Sequence, residues 1–144
     1  MSEPGQPSTE ELQGWRAAAL AGDTDAMCNL GLVCFQNGQY TGSDSAERWW
    51  LAASKEGHDD AMLNLGLLRY QQDRTDGDDS AESWWTDSAN AGNVDAMCNL
   101  GLLRRVQERL DGEDSAEHWW AKAAGEGHDD AAYNLDVLRS ELES

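Results

Sequence analysis

Apolar residues recur along this 144-residue chain with helical spacing and without the alternation of a β-strand. Between Asp25 and Gln36 they stand at Ala26, Leu30 and Val33, so they share one side of a helix. The same spacing returns in later segments of the chain. The pattern therefore predicts an all-α protein.

A second type of helix is predicted after each of these first helices, and it opens on the sequence Asp-Ser-Ala-Glu. In its first copy, Asp44 can cap the helix and Glu47 can return to the N–H of the cap, which is the pattern of a capping box. This helix carries Trp49 and Trp50 and is expected to end at Gly57, because glycine adopts the left-handed conformation of a C-cap.

Both helices recur together every 35 residues. The sequence Asn-Leu-Gly begins at residues 29, 64 and 99 and becomes Asn-Leu-Asp at residue 134, while the tryptophan pairs, the Asp-Ala dipeptides and the terminal glycines keep the same step. A period of this length predicts stacked helix pairs. The predicted division is a disordered tail over 1–8 and one domain over 9–144, with an opening helix at 9–22, repeats at 23–57, 58–92 and 93–127, and a closing helix at 128–144.

Glycine stands at the centre of each first helix, which predicts close approach of a neighbouring helix. In the closing helix the equivalent residue is Asp136, and no second helix follows it. Trp15 of the opening helix matches Trp50, whereas Gly14 stands where Trp49 would be. We therefore expect Trp50 and its equivalents to pack inside the stack, and Trp49 and its equivalents to pack toward the preceding helix.

The repeated segments resemble the Sel1-like repeats, which are relatives of the tetratricopeptide repeats. The matching sequences are DAMCNLGL, DSAERWWLAASKEGH and their later copies, with the helix endings AASKEG, SANAG and AAGEG, over about residues 9–142. The chain departs from the usual pattern in its inter-helix loop and in its Trp–Trp pairs. The resemblance implies a right-handed α-solenoid of about eight antiparallel helices that serves as a non-enzymatic protein-interaction scaffold or adaptor.

Two alternatives to a scaffold stay open. Some Sel1-like proteins act on or bind β-lactams, so a related hydrolase is one alternative, although the paired cysteines of those proteins are missing here. A purely structural, self-associating repeat protein is the other. Asp136 and the acidic C-terminal sequence Ser-Glu-Leu-Glu-Ser argue against end-to-end growth, so a monomer is expected.

The chain carries 28 acidic against 10 basic residues, for a net charge of −18. Such a surface repels phosphates and anionic lipids, so nucleic acids and membranes are not expected as partners, and a basic protein or peptide fits better. The three cysteines have no paired spacing and no signal peptide is recognisable, which predicts a cytoplasmic protein. No spacing of histidines or cysteines predicts a metal or cofactor site.

In such a solenoid the first helices line the concave face, and equivalent side chains form rows. One row consists of Asn29, Asn64, Asn99 and Asn134. Their amides could hold the backbone of an extended peptide, or could bond to a neighbouring helix or loop. The other candidate groove residues are Leu32, Leu67, Leu102, Leu63, Tyr70 and Arg105, some of which could instead contact the adjacent repeat.

Two rows of charged residues also have two interpretations. Arg69, Arg104 and Arg139 could bind a partner's carboxylate, or could pair with the acids four residues on, which are Asp73, Glu108 and Glu143. A row of aspartates lies in the first turns, where it suits the helix dipole and could also attract a basic peptide; it consists of Asp25, Asp60, Asp95 and Asp130. His58 and His128 are expected at helix N-termini.

Overall fold

The computed structural model describes residues 5–144, and in that range the chain forms eight α-helices and no strand. They are α1 (Thr9–Leu20), α2 (Thr24–Gln36), α3 (Ala46–Lys55), α4 (Asp59–Gln71), α5 (Ala81–Asn90), α6 (Val94–Val106), α7 (Ala116–Gly125) and α8 (Asp129–Glu143). Each helix packs chiefly against the next along the chain, as a solenoid requires. Half of the predicted tail, 1–4, lies outside the described residues, and Ser8 caps α1.

The Asp-Ser-Ala-Glu sequences start the second helices, but not through their aspartates. The N-caps of α3, α5 and α7 are Ser45, Ser80 and Ser115, whose hydroxyls accept from the backbone N–H three residues on. The prediction of aspartate caps was therefore wrong by one residue. The serine fits because its side chain is short enough to be fully buried while it also donates to a loop carbonyl.

The second tryptophan of each pair packs on the central glycine of the preceding first helix. A Cβ at Gly31 or Gly66 would overlap the indole of Trp50 or Trp85, and the third pair of residues repeats the arrangement. The indole N–H of Trp50 also donates to the carbonyl of Cys28, at 3.2 Å. The predicted close approach at these glycines is confirmed, and Asp136 is exposed in the helix that no tryptophan follows.

The first tryptophan of the first pair packs toward the preceding helix, as predicted, and it also reaches the loop before its own helix. Trp49 is half-buried, packs against both α1 and α2 residues, and donates from Nε1 to Asp44 at 3.1 Å. The contact with the preceding first helix belongs chiefly to Trp50, which is 1% exposed. Trp15, which matches Trp50 but has no such helix before it, is only half-buried.

Candidate functional site

The predicted asparagine and leucine rows line one continuous groove along α2, α4, α6 and α8. Its largest section is a cavity of about 530 Å³ that includes Leu63, Asn64, Leu67, Asn99, Leu102 and Asn134. A second section, of about 440 Å³, contains Asn29 and Leu32 and shares Asn64 with the first. A third section, of about 220 Å³, contains Tyr70 and shares Leu67, Asn99 and Leu102. We call these three sections together the asparagine groove.

The amides of the asparagine row are accessible in this groove. All four asparagines are partly exposed. Among the contacts of residues 5–144, the side chains of Asn29, Asn99 and Asn134 form no hydrogen bond, and Asn64 donates to the Cys28 sulfur at 3.6 Å. The alternative interpretation, in which these amides bond to neighbouring helix or loop backbone, therefore has no contact to support it.

The leucine row is exposed to an unusual extent for such large apolar side chains. Leu32, Leu67 and Leu102 are 40%, 41% and 47% exposed, and Tyr70 is 47% exposed. Leu63 differs, because it packs partly against the core formed by residues of α5 to α8. The row is therefore a strip of apolar surface beside the amides rather than part of the interior.

The aspartate row forms one edge of the groove, and it is linked to the caps of the first helices. His58 Nδ1 accepts from the N–H of Ala61, while its Nε2 lies 2.7 Å from Asp25 of the preceding repeat. Because Nδ1 accepts, the proton lies on Nε2, which donates to Asp25. His128 bridges to Asp95 in the same way, at 3.0 Å.

Asn93 stands midway between His58 and His128 in the sequence, and like them it caps a first helix and bonds to an aspartate of the preceding repeat. Its Oδ1 accepts from the N–H of Ala96, and its amide donates to Asp60 at 2.8 Å. The residues at 23, 58, 93 and 128 cap all four first helices, as Asp, His, Asn and His. The sequence analysis expected the histidines at helix starts but missed these bridges. The signal was present, since each bridging residue can accept and donate and keeps the 35-residue step.

Two of the predicted carboxylate-binding arginines lie outside the groove, in buried ion pairs. Arg69 is 1% exposed and donates to Glu47 and Asp79, at 3.0 and 2.9 Å. Arg104 is 2% exposed and pairs with Glu82 and Asp114, at 2.6 and 3.0 Å. These contacts connect consecutive repeats, so neither guanidinium is available to a partner.

The acids that pair with the arginines are also not the predicted ones. Arg139 is half-exposed and lies 3.5 Å from Glu117, rather than pairing with Glu143. Asp73 and Glu108 follow the ends of α4 and α6 with φ of +61° and +60°, so the helical spacing that would bring them to Arg69 and Arg104 has already ended.

Arg105 was expected in the groove, but it contributes to a salt bridge at the edge of the third repeat. Its Nη2 donates to both carboxylate oxygens of Glu141, at 2.9 and 2.8 Å. Both side chains are partly exposed. Arg105 is not among the residues that line the three cavities of the groove.

The aspartates at 44, 79 and 114 accept hydrogen bonds from the indole five residues on and from arginine side chains. Hydrogen bonds from Arg16 and Trp49 lower the pKa of Asp44 below its ordinary value. Burial raises the pKa of Asp114, but hydrogen bonds from Trp119 and Arg104 outweigh burial, so the net shift is downward. These carboxylates are therefore held ionised as acceptors for an indole N–H and arginine side chains.

The cysteines show no sign of reactive thiol chemistry. All three are free and buried. Burial, with a smaller contribution from the charge of Asp60, raises the pKa of Cys28 to about 11. Burial also raises the pKa of Cys34 and of Cys98. A thiol with a raised pKa is a poor nucleophile at neutral pH, because the thiolate is the reactive form.

Within residues 5–144, no group of three or more His, Cys, Asp and Glu side chains is arranged to hold a metal ion. None of the helices in the described part of the chain is both long and apolar enough to cross a membrane.

Comparison with solved structures identifies the fold. The chain is similar to a Sel1 repeat protein from Oxalobacter formigenes in its crystal structure, with a TM-score of 0.74 and 24% sequence identity over 90% of this chain. The chain folds as a Sel1 repeat solenoid. It spans 54% of the length of the Oxalobacter protein. No family model matches the sequence, and no curated protein matches it.

Proposed function

We propose that this Sel1-type solenoid is a non-enzymatic binding module that holds an extended, cationic segment of a partner protein in the asparagine groove. One observation carries the proposal. Four equivalent asparagines, a strip of exposed leucines and an edge of aspartates lie side by side along three adjoining cavities. Amide, apolar and acidic rows together match the three parts of such a peptide, which are its backbone, its apolar side chains and its basic side chains.

The asparagines would recognise the peptide backbone. A carboxamide donates and accepts, so it pairs with a peptide N–H and C=O without regard to the side chain between them. A row with one asparagine per repeat offers such a pair at several points along an extended segment. This recognition favours an extended peptide over a helix, because the backbone groups of a helix are already paired.

The aspartates would select positive charge. Asp25 and Asp95 keep 87% and 70% of their side-chain surface exposed even while they accept from histidines, so both can reach a second cation. The net charge of −18 adds a long-range attraction for basic segments, which raises the association rate at low salt. In this proposal the module is a monomer and works in a reducing cytoplasm. The reducing compartment fits the three cysteines, which are free, buried thiols rather than disulfides.

A fluorescein-labelled decapeptide with two lysines in a glycine–serine background tests the proposal by fluorescence anisotropy. We expect wild type to bind it, and the double variant Asn64→Ala, Asn99→Ala to bind about tenfold more weakly, as the loss of one to two hydrogen bonds implies. The matched control is the double variant Asn37→Ala, Asn90→Ala, which changes two exposed asparagines outside the groove. Equal affinity of the two double variants, or no binding by wild type, would overturn the proposal.

A further inference from the structure

The smallest section of the asparagine groove differs from the others in being almost wholly apolar. It is lined by Leu67, Tyr70, Trp85, Asn99, Leu102, Leu103 and Val106 and has a volume of about 220 Å³. We propose that it is an anchor pocket that receives one bulky apolar side chain, such as leucine, of the cationic peptide. The inference rests on the proposed function and specifies its partner.

The walls of the anchor pocket are preformed. Tyr70 stacks on Trp85 with ring centroids 5.9 Å apart and an angle of 29° between the planes, so the aromatic wall is held from behind by the core. Val106 forms the outer edge and is 76% exposed. A cavity of this size is below the range of small-molecule pockets, which is about 300–1,000 Å³, so it suits a single side chain.

The equivalent positions in the other repeats do not form such a pocket. Tyr70 and Val106 correspond, at a step of 35 residues, to Arg105 and Glu141, which are joined by a salt bridge. In the first repeat the position of Tyr70 is held by Phe35, which packs against Tyr40 and Trp50, with centroids at 5.2 and 5.7 Å. The apolar edge is also particular to this copy, because the residues equivalent to Val106 are Gln36, Gln71 and Glu141.

The charge of the adjoining groove section defines the rest of the occupant. Asp95 and Asp130 line the cavity that shares Leu67, Asn99 and Leu102 with the anchor pocket. Asp95 stands near the start of α6 and Val106 at its end, so the aspartate edge and the anchor pocket lie on opposite sides of the asparagine row. Successive side chains of an extended peptide point to opposite sides. The occupant is therefore an extended segment with a basic residue an odd number of positions, such as five, from a bulky apolar one.

A second copy of this chain is a poorer occupant of the same pocket. It would bring a second net charge of −18 against the first, and like charges at a close interface repel. A basic segment has the opposite charge and gains from the same field. Charge complementarity thus favours a cationic partner over self-association.

Two labelled decapeptides test the anchor pocket by anisotropy. Both carry two lysines in a glycine–serine background, followed five positions later by leucine in one peptide and alanine in the other. We expect wild type to bind the leucine peptide about tenfold more tightly than the alanine peptide, from burial of the larger side chain. The variant Val106→Gln replaces this exposed valine with glutamine, which is the residue at the equivalent positions 36 and 71. It should bring the ratio of the two affinities close to one, because the leucine side chain loses its apolar edge.

The outcomes separate this inference from the proposed function. If both peptides bind wild type equally, or if Val106→Gln keeps the full leucine preference, the assignment of the anchor pocket is wrong, while the proposal of groove binding stands. If Val106→Gln weakens both peptides alike, Val106 serves the groove in general and the anchor pocket is again wrong. If neither peptide binds wild type, both proposals fail. A wild-type dimer that Val106→Gln converts to monomer, measured by light scattering, would assign the pocket to a second copy and overturn the cationic anchor.

Discussion

The indole of Trp85 lies on the backbone of Gly66 and donates from Nε1 to the carbonyl of Leu63, at 3.1 Å. The glycine provides the space, and the carbonyl three residues earlier fixes the ring orientation. The relationship recurs between the other central glycines and tryptophans, so one contact joins the first and second helix in every repeat.

A methyl group at Gly66 should destabilise the protein although alanine is the better helix former. The added Cβ would overlap the buried indole of Trp85, and such overpacking costs about 1–3 kcal/mol. Gly14→Ala is the matched control, since Gly14 lies inside α1 with nothing near its missing Cβ, and it should gain up to about 1 kcal/mol. Urea unfolding of both variants checks this. A stabilised Gly66→Ala variant would show that the indole moves away at little cost.

The two tryptophans of one pair should differ in their contribution to stability. Trp85→Ala removes a ring that is 5% exposed and leaves a cavity over Gly66, so we expect a loss of about 3–5 kcal/mol in the free energy of unfolding. Trp84 is only half-buried and bonds to Asp79 in the loop, so Trp84→Ala should cost less. Chemical denaturation of the two variants measures the difference. Equal losses, or a larger loss for Trp84→Ala, would reverse this assignment.

The sequence predicted the fold well because the repeat multiplies each weak signal. The helices, the close approach at Gly66 and the groove position of Asn64 follow from helical spacing combined with the 35-residue step. One copy alone would not have distinguished a core tryptophan from a ligand platform. The repeat reduces that ambiguity, because Trp15 keeps the place of Trp50 in the opening helix and a glycine recurs in the first helix that precedes each equivalent of Trp50.

Contacts between repeats were not predictable to the same degree, because they depend on distances across helices rather than along them. Arg69 reaches Glu47 and Asp79, which are 22 and 10 residues away in sequence, whereas helix rules consider neighbours three and four residues apart. The prediction of the N-cap residue was wrong for a related reason. Aspartate and serine are both good N-caps, and only the folded loop shows that Asp79 is already engaged by an indole and two guanidinium groups.

Neighbouring arginines on α6 should have very different effects when they are removed. Arg104→Ala leaves Glu82 and Asp114 without their buried partner, and we expect a loss of about 2–4 kcal/mol, near the lower end of what broken buried pairs cost, because both acids stay partly solvated. Arg105→Ala removes only the exposed pair with Glu141 and should cost about 0–1 kcal/mol. Thermal and urea unfolding of both variants compare them. Similar losses would show that Arg104 adds no more than a surface charge.

The contribution of Asp114 should depend on pH in a defined direction. Its pKa is lowered in the folded protein, so the stabilisation is present above its unfolded pKa of about 3.9 and is lost as pH falls through the folded value. Asparagine suits the left-handed backbone at this position, where φ is +50°, so Asp114→Asn removes mainly the charge. The stability difference between wild type and Asp114→Asn should be large at about pH 7 and shrink below about pH 4. A difference that stays constant with pH would contradict the assigned role.

The most direct test of groove binding observes the asparagine side chains themselves. Protein labelled with ¹⁵N only at asparagine gives separate side-chain signals for its seven asparagines, which can be followed by NMR during titration with the two-lysine decapeptide. We predict shifts at residues 29, 64, 99 and 134, and none at Asn37 and Asn90, which lie outside the groove. Shifts confined to Asn37 and Asn90, with the groove asparagines unchanged on saturation, would contradict the account.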